Sequence, residues 1–495
     1  MLATACTFSL VGVEAREVRA EVDVRGGLPA FALVGLPDAA VRESRERVRA
    51  ALANSGFTFP QQRIVANLAP ADLRKAGPGF DLAIAAALLA ASGQLPPGAL
   101  ERVGLAGELA LDGSIRPVAG ALAMAEAAGK GGARAIAVPA ANAAEAALAG
   151  GPRVVPLERL EQVRLLGTEA EPEARDAPAR AVAEPEHPDL TDLRGQPFLR
   201  TALEVAAAGG HSLLMTGPPG AGKSLAARRL PSILPPLSEP ERIEVLRIAS
   251  ACGQRAEPQP RRPFRAPHHT ISAAGLVGGG NPPRPGEVTL AHRGVLFLDE
   301  LPEFSRDALE ALRQPLEDGR VVISRARHAV ELPCRFMLVA AANPCPCGRG
   351  RDSGECECPE GAVARYRARL SGALADRVDI AITVGRPGAE AMASGPGEES
   401  RAVRERVVAA RRLQELRLGP GRANADMTAL EARRHVELDR AGRRLLAEAY
   451  ERLRLSGRGH ERVLRVARTL ADLDGAGTVS ASHLEGALAL RSRGG

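Results

Sequence analysis

Residues Gly217, Pro218, Pro219, Gly220, Ala221, Gly222, Lys223 and Ser224 follow the pattern G-x-x-x-x-G-K-[ST] between a strand-like and a helix-like segment. Glycines at this spacing let backbone N–H groups approach a polyphosphate, and the following helix N-terminus adds a favourable dipole. In such a loop Lys223 reaches the β and γ oxygens of ATP, and the Ser224 hydroxyl ligates Mg²⁺. Composition sharpens the reading, because the chain holds 62 arginines but only three lysines, Lys75, Lys130 and Lys223. An ammonium kept against that background marks a position where a guanidinium fork is no substitute. The plain alternative is a glycine-rich turn with an incidental lysine. Further along, four apolar residues run into Asp299 and Glu300. A carboxylate pair at the end of a buried strand lies where an open α/β sheet presents its ligands. Asp299 is expected to hold the metal's hydration shell and Glu300 to polarise the attacking water. Asn343, ending the next strand, is placed to contact the γ-phosphate, although Asn at a strand end is often only a turn former.

A second constellation follows at once. Cys345-Pro-Cys347 and Cys356-Glu-Cys358 are two C-x-C pairs in a short polar loop, a thiolate set suited to tetrahedral zinc. The spacing inside each pair is tighter than the usual two to four residues, and free thiols in a reducing cytoplasm are the alternative. Such a metal would shape the loop beside Asn343 and take no part in hydrolysis. His268 and His269 read as structural rather than metal-binding, and Cys6, Cys252 and Cys334 as small apolar fillers.

The elements that must position these groups are legible in outline. The acidic, proline-rich stretch 169–189 has no periodicity and reads as a linker. Before it, residues 1–168 alternate strand and helix: strands around Ala20–Gly27 and in RIVANLAP, helices over Asp38–Ser55 and Asp81–Ser92. After it, strands His211–Gly217, Val295–Glu300 and Phe336–Pro344 alternate with helices over 190–384, as in a parallel, doubly wound sheet. A glycine- and proline-rich break covers 385–400, and 401–495 reads as helices with Arg/Glu faces. That last segment carries 20 arginines against 12 acids, so a polyanion partner is expected there if anywhere. Trp is absent and there are only two tyrosines, so base stacking is not expected to carry nucleic-acid binding. No apolar run reaches the roughly 18 residues of a membrane span, and MLATACTFSL lacks a basic n-region, so a cytoplasmic protein is expected.

Taken together, GPPGAGKS, GEVTLAHRGVLFLDELPEF, ALRQPLEDGRVVISR, AANPCPCG and LSGALADRVDI resemble the magnesium-chelatase-like AAA+ ATPases of the YifB/ComM type. The resemblance covers nearly all of the chain. It implies an α/β fold: an AAA+ P-loop core, its parallel sheet flanked by helices, with an N-terminal Lon-protease-like α/β domain and a C-terminal helical lid domain. It implies that Arg377 is an arginine finger acting in trans within a ring, a hexamer. Arg458 resembles the sensor-two arginine, with Arg462 competing for the role, and Asp192 to Gln196 looks like the segment beside the adenine.

The basic hairpin Gly319–Leu332 resembles an insertion that points into the pore of ring translocases, which makes Arg325, Arg327 and His328 candidates for DNA phosphate contacts. Active Lon relatives use a Ser-Lys dyad. Here Gly79 stands at the serine position, in the loop Lys75 to Asp81, and Leu122 at the lysine position, so peptide hydrolysis is not expected. The function implied is a Mg²⁺-dependent, ring-forming ATPase that moves on single-stranded or branched DNA, driving branch migration in natural transformation and recombination. The alternatives are the motor subunit of a magnesium chelatase and an ATP-driven protein remodeller.

Overall fold

The computed structural model describes the chain apart from residues 177–187, 255–260, 281–282, 326–327, 352–353, 371–373, 375–376, 391–394, 439, 454–455 and 492–495. Strands β1 (Leu2–Val11) and β2 (Glu14–Arg25) form an antiparallel hairpin, registered from Leu2 opposite Asp23 to Val11 opposite Glu14. Its two-residue turn begins with Gly12 at φ +65°, a conformation in which glycine carries no Cβ penalty. The hairpin lies at the centre of a seven-stranded sheet. In space the order is Ala30–Val34, Arg63–Ala69, β2, β1, Val103–Leu105, Ala135–Pro139 and Arg153–Leu157. Pairings from β1 outward to Arg153–Leu157 are parallel, as crossover helices demand.

The helix Asp81–Ala91 is apolar on all sides and buried at every position but Ala90, so it fills the core rather than capping it. The segment expected as one helix over Asp38–Ser55 is instead split at Glu43 into Ala39–Arg42 and Ser44–Asn54. Beyond the break Ser44 and Arg47 both bind the buried Asp81, with Arg47 Nε 2.6 Å from Oδ2. Burial of an ionised carboxylate is tolerable only with such partners.

The second sheet is entirely parallel, in the order Phe264–Arg265, Val295–Leu298, Met337–Ala342, Leu213–Thr216, Ile380–Thr383. Val295–Leu298 and Met337–Ala342 are buried on both faces, which explains their uninterrupted apolar sequence. The sequence gives no order of strands. Here it puts Leu213–Thr216 directly beside Met337–Ala342, so their C-terminal ends meet. The basic hairpin is Arg320–Arg325 paired with His328–Pro333. Arg327 lies outside the described residues, as do the side chains of Arg325 and His328.

Helices Ser400–Leu418, Ala429–His435, Arg440–Leu453, Gly457–Leu473 and Ala481–Ala489 follow. Val463, Val466 and Ala467 share one apolar core with Leu203 and Ala207 of the helix Pro197–Gly209, against the second sheet. Inside this helical part Asp472 is buried and accepts from Arg417, Arg468 and Asn424 at 2.7, 3.0 and 2.8 Å. No described helix is long and apolar enough to cross a membrane.

Candidate functional site

The loop Gly217–Gly222 joins Leu213–Thr216 to the helix Lys223–Ile233. Three of its glycines are required by geometry. Gly220 and Gly222 have φ of +79° and +87°, and a Cβ on Gly217 would lie 2.1 Å from the Val384 carbonyl oxygen. A Cβ on Gly220 would meet nothing within 4 Å, so the loop is open on that side.

Lys223 is buried at the base of the loop, where Nζ donates to the carbonyls of Gly217 (2.5 Å) and Pro218 (3.0 Å) and to Asn343 Oδ1 (3.3 Å). Burial pulls its pKa below the ordinary lysine value, while the charges of Asp299 and Glu300 work against that shift. All three acceptors are neutral, so the ammonium sits among dipoles with its two nearby carboxylates acting at longer range. That donor set fits a phosphate, which would supply charge in contact.

Ser224 Oγ donates to Asp299 Oδ2 at 2.7 Å. The hydroxyl from the start of the helix and the carboxylate from the end of Val295–Leu298 therefore converge on one point, the pairing a hard oxygen-ligated Mg²⁺ needs. Glu300 is half-exposed and adopts φ +52°, ψ +46°, rare for a residue with a Cβ. Its N–H is held by Asp299 Oδ1 at 3.0 Å, which offsets part of the strain of turning the side chain away from the strand.

Lys223, Ser224, Asp299 and Asn343 are thus brought together, with Glu300 beside them. The two arginines are not part of that cluster. Arg377 Nη2 lies 2.5 Å from Glu317 Oε1 and Arg458 Nη1 lies 3.7 Å from the same oxygen, with Arg458 the more exposed of the two. Arg462 is buried, 3.3 Å from Asp379, which also binds His211 and the Ser212 N–H.

Arg386 had no local signal in the sequence. Arg386 Nε donates to the Pro219 carbonyl at 3.2 Å. Gln196 Nε2 donates to the Ala221 carbonyl at 2.8 Å, which sets the Asp192–Gln196 segment against the phosphate loop. His269 Nδ1 lies 3.6 Å from Glu300 Oε2, a place its sequence context, read as merely structural, did not indicate.

The four cysteines also converge. The sulfurs of Cys345, Cys347, Cys356 and Cys358 all lie within 4.8 Å of one another, and three separations are 3.3, 3.6 and 3.7 Å. A tetrahedron with metal–sulfur bonds of about 2.3 Å has edges of about 3.8 Å, so the set is the right size for zinc. The Gly350 N–H donates to Cys345 Sγ at 3.3 Å, the kind of outer hydrogen bond that steadies a thiolate. The Arg349 N–H first, and then neighbouring thiols, hold Cys347 down at about 6. The loop abuts the phosphate loop: a Cβ on Gly348 would lie 2.8 Å from Pro219. Of the three cysteines read as apolar fillers, only Cys334 is buried; Cys6 is half-buried and Cys252 exposed.

In the N-terminal unit Leu122 is fully buried, and a Cβ on Gly79 would lie 3.5 Å from Val118 Cγ1. Lys75 is also buried and its Nζ donates to the Pro70 carbonyl.

Comparison with known proteins identifies the family. Three family models match: the ChlI subunit of Mg-chelatase over residues 20–142, magnesium chelatase subunit ChlI over 189–392, and the ChlI C-terminal model over 397–491. The chain is 44% identical to a Mycobacterium tuberculosis protein over 100% of its own length and 99% of that relative's. It is 42% identical to YifB of Escherichia coli (98% and 96% covered) and 42% identical to the competence protein ComM of Haemophilus influenzae (99% and 97%). A shorter match, 28% identity over 187 residues, is to Lon protease 2 of Bacillus subtilis. Full-length identity, the P-loop geometry and the parallel sheet place the chain in the magnesium-chelatase-like AAA+ ATPase family of the YifB/ComM type.

Proposed function

We propose that this protein is a Mg²⁺-dependent, ring-forming ATPase that works as a cytoplasmic DNA motor, a branch-migration helicase in natural transformation and homologous recombination. The observation that carries the ATPase half is the convergence of Lys223, Ser224, Asp299 and Asn343 around a loop whose glycines leave room for a polyphosphate. The DNA half is supported by the name of the relative ComM, a competence protein, and by the arginine excess of residues 401–495.

In this reading the protein divides at 169–189 and 385–400 into a Lon-like domain (1–168), an AAA+ core (190–384) and a helical lid (401–495). Gly217, Pro218, Pro219, Gly220, Ala221 and Gly222 cradle the phosphates. Lys223 leaves its backbone acceptors for the β and γ oxygens. Ser224 and Asp299 hold Mg²⁺, which when bound neutralises charge between those phosphates. Glu300 accepts the proton of the attacking water, and Asn343 orients that water from the neighbouring strand end. Arg377 reaches a neighbouring subunit's nucleotide after parting from Glu317, and Arg458, at the same glutamate, senses nucleotide from the lid. Two arginines sharing one carboxylate would then be exchanged for phosphate contacts as the ring closes. The four cysteines hold zinc as a structural brace for the loop between Asn343 and Pro219.

The test is the steady-state ATPase rate with no addition, single-stranded DNA, a four-way junction and a denatured protein, at two salt concentrations. Strong stimulation by DNA that falls steeply with salt is expected, because phosphate contacts release counterions. Turnover indifferent to every DNA would overturn the motor reading and move the assignment to a protein or metallation partner.

A further inference from the structure

The Lon-like domain has lost its dyad, yet it is joined to the ATPase core by contacts that converge on the root of the basic hairpin. Leu122, standing where active relatives carry the base lysine, is buried in an apolar cluster with Leu148 and with Leu246 of the ATPase-core helix Glu239–Ala251. Around it the Gly120 N–H donates to the Ser250 carbonyl at 2.8 Å, and Arg247 Nη2 donates to Glu126 Oε1 at 2.8 Å. A lysine at position 122 would put an ammonium into this dry contact. Leu122 is thus an apolar knob in this contact.

A second contact lies close by, at the β1–β2 turn, since a Cβ on Gly120 would lie 2.7 Å from Leu10 Cδ1. The β1–β2 turn rests on the hairpin: a Cβ on Gly12 would lie 2.6 Å from Val330 Cγ1 and 2.9 Å from Leu332 Cδ2, and Val13 is buried in the same apolar core as Ile248, Val321, Val330 and Leu332. The helix Glu239–Ala251 then ties both contacts to the catalytic strand. Glu244 accepts from His292 Nε2 (3.0 Å) and Arg293 Nε (2.7 Å), while His292 Nδ1 accepts the Arg335 N–H at 3.0 Å. His292 and Arg293 lie one residue before the strand Val295–Leu298 that leads into Asp299, and Arg335 lies one residue beyond the hairpin strand His328–Pro333. Beside the turn is a cavity of about 770 Å³ bordered by charges of both signs, among them Glu14, Arg16, Asp318 and Arg320.

We propose that the Lon-like domain is a clamp on the hairpin root, gripping it through the β1–β2 turn and through the Leu122 knob on the Glu239–Ala251 helix, so that the domain and the hairpin move as one lever. The inference rests on the hairpin being the DNA-contacting element proposed above; the clamp itself is judged by a measurement that needs no DNA. In full-length protein, hydrogen exchange of the amides of 320–332 would be compared for wild type, Glu126→Arg, Arg247→Glu, the double swap and Val13→Asp, alongside basal and DNA-stimulated ATPase rates. Each single variant should exchange at least ten-fold faster in the hairpin and keep basal turnover within two-fold, and the double swap should restore protection, which a misfolded variant would not do. Unchanged hairpin exchange in the single variants, or no restoration in the double swap, would overturn the clamp. If hairpin exchange responds as expected but wild type shows no DNA stimulation, the clamp stands and the DNA reading falls.

Discussion

Replacing Lys223 with methionine separates the cost of holding a buried cation from what that cation does for nucleotide. In the folded chain the ammonium is buried, its pKa is pulled down by that burial, and its hydrogen-bond acceptors are two backbone carbonyls and the Asn343 amide oxygen. Methionine fills a similar volume without the desolvation penalty, so the nucleotide-free protein should lose no more than about 1 kcal/mol of stability, set by the carbonyls left without a donor. Nucleotide binding behaves oppositely. Hydrogen bonds to charged groups contribute about 1.5–3 kcal/mol each, and contacts to two phosphates give about 3–6 kcal/mol, a rise in Kd of roughly 10² to 10⁴.

The assay is thermal or urea unfolding with a non-hydrolysable ATP analogue and Mg²⁺, at 100 times the wild-type Kd. Ligand linkage then stabilises wild type by about 2.7 kcal/mol, whereas a hundred-fold weaker variant gains only about 0.4 kcal/mol. Lys223→Arg should resemble methionine, because the guanidinium is too large for a pocket that leaves Lys223 only 8% exposed. A methionine variant that keeps the wild-type ligand shift, or whose nucleotide-free form is destabilised by several kcal/mol, would refute the assignment and make Lys223 a structural brace.

Four further outcomes can be checked. Glu300→Gln should retain nucleotide affinity within a few-fold while turnover falls at least 10²-fold, read by single-turnover hydrolysis; near-wild-type turnover would remove Glu300 from the reaction. Arg377→Ala should be inactive alone and partly rescued in mixed rings with Lys223→Met subunits; complementation must fail if the arginine acts within its own chain. Purified protein should carry about one zinc per chain by elemental analysis and Cys358→Ser should lose it, whereas a metal-free, fully active wild type would remove the brace. Glu244 is held at about 2, first by the hydrogen bond from His292 and then by Arg293. A carboxylate depressed in the folded state contributes stability that is present above its unfolded pKa and lost as pH falls toward its folded pKa. Wild type should therefore weaken between about pH 4.5 and 2, and Glu244→Gln should be less stable at pH 7 with a flatter acid limb; a parallel pH profile for the two would contradict this.

What the sequence determined by itself is what local geometry enforces. The phosphate loop was legible because its glycines are compelled by positive φ at 220 and 222 and by the carbonyl under Gly217, and its lysine stood out in an arginine chain. The buried strands were legible because a parallel sheet covered on both faces admits only apolar residues. The two cysteine pairs announced a cluster by residue type alone. Tertiary structure decided everything that depends on strand order and side-chain reach. Adjacency of Leu213–Thr216 to Met337–Ala342 is what sets Asn343 beside Lys223, and no spacing in sequence encodes it. Arg386, His269 and the shared Glu317 of Arg377 and Arg458 join residues far apart in the chain, one arginine among 62 being indistinguishable until the fold gives it a partner. The same holds for Leu122: only packing against Leu246 shows what this residue does, because burial belongs to the surface on the other side of the contact.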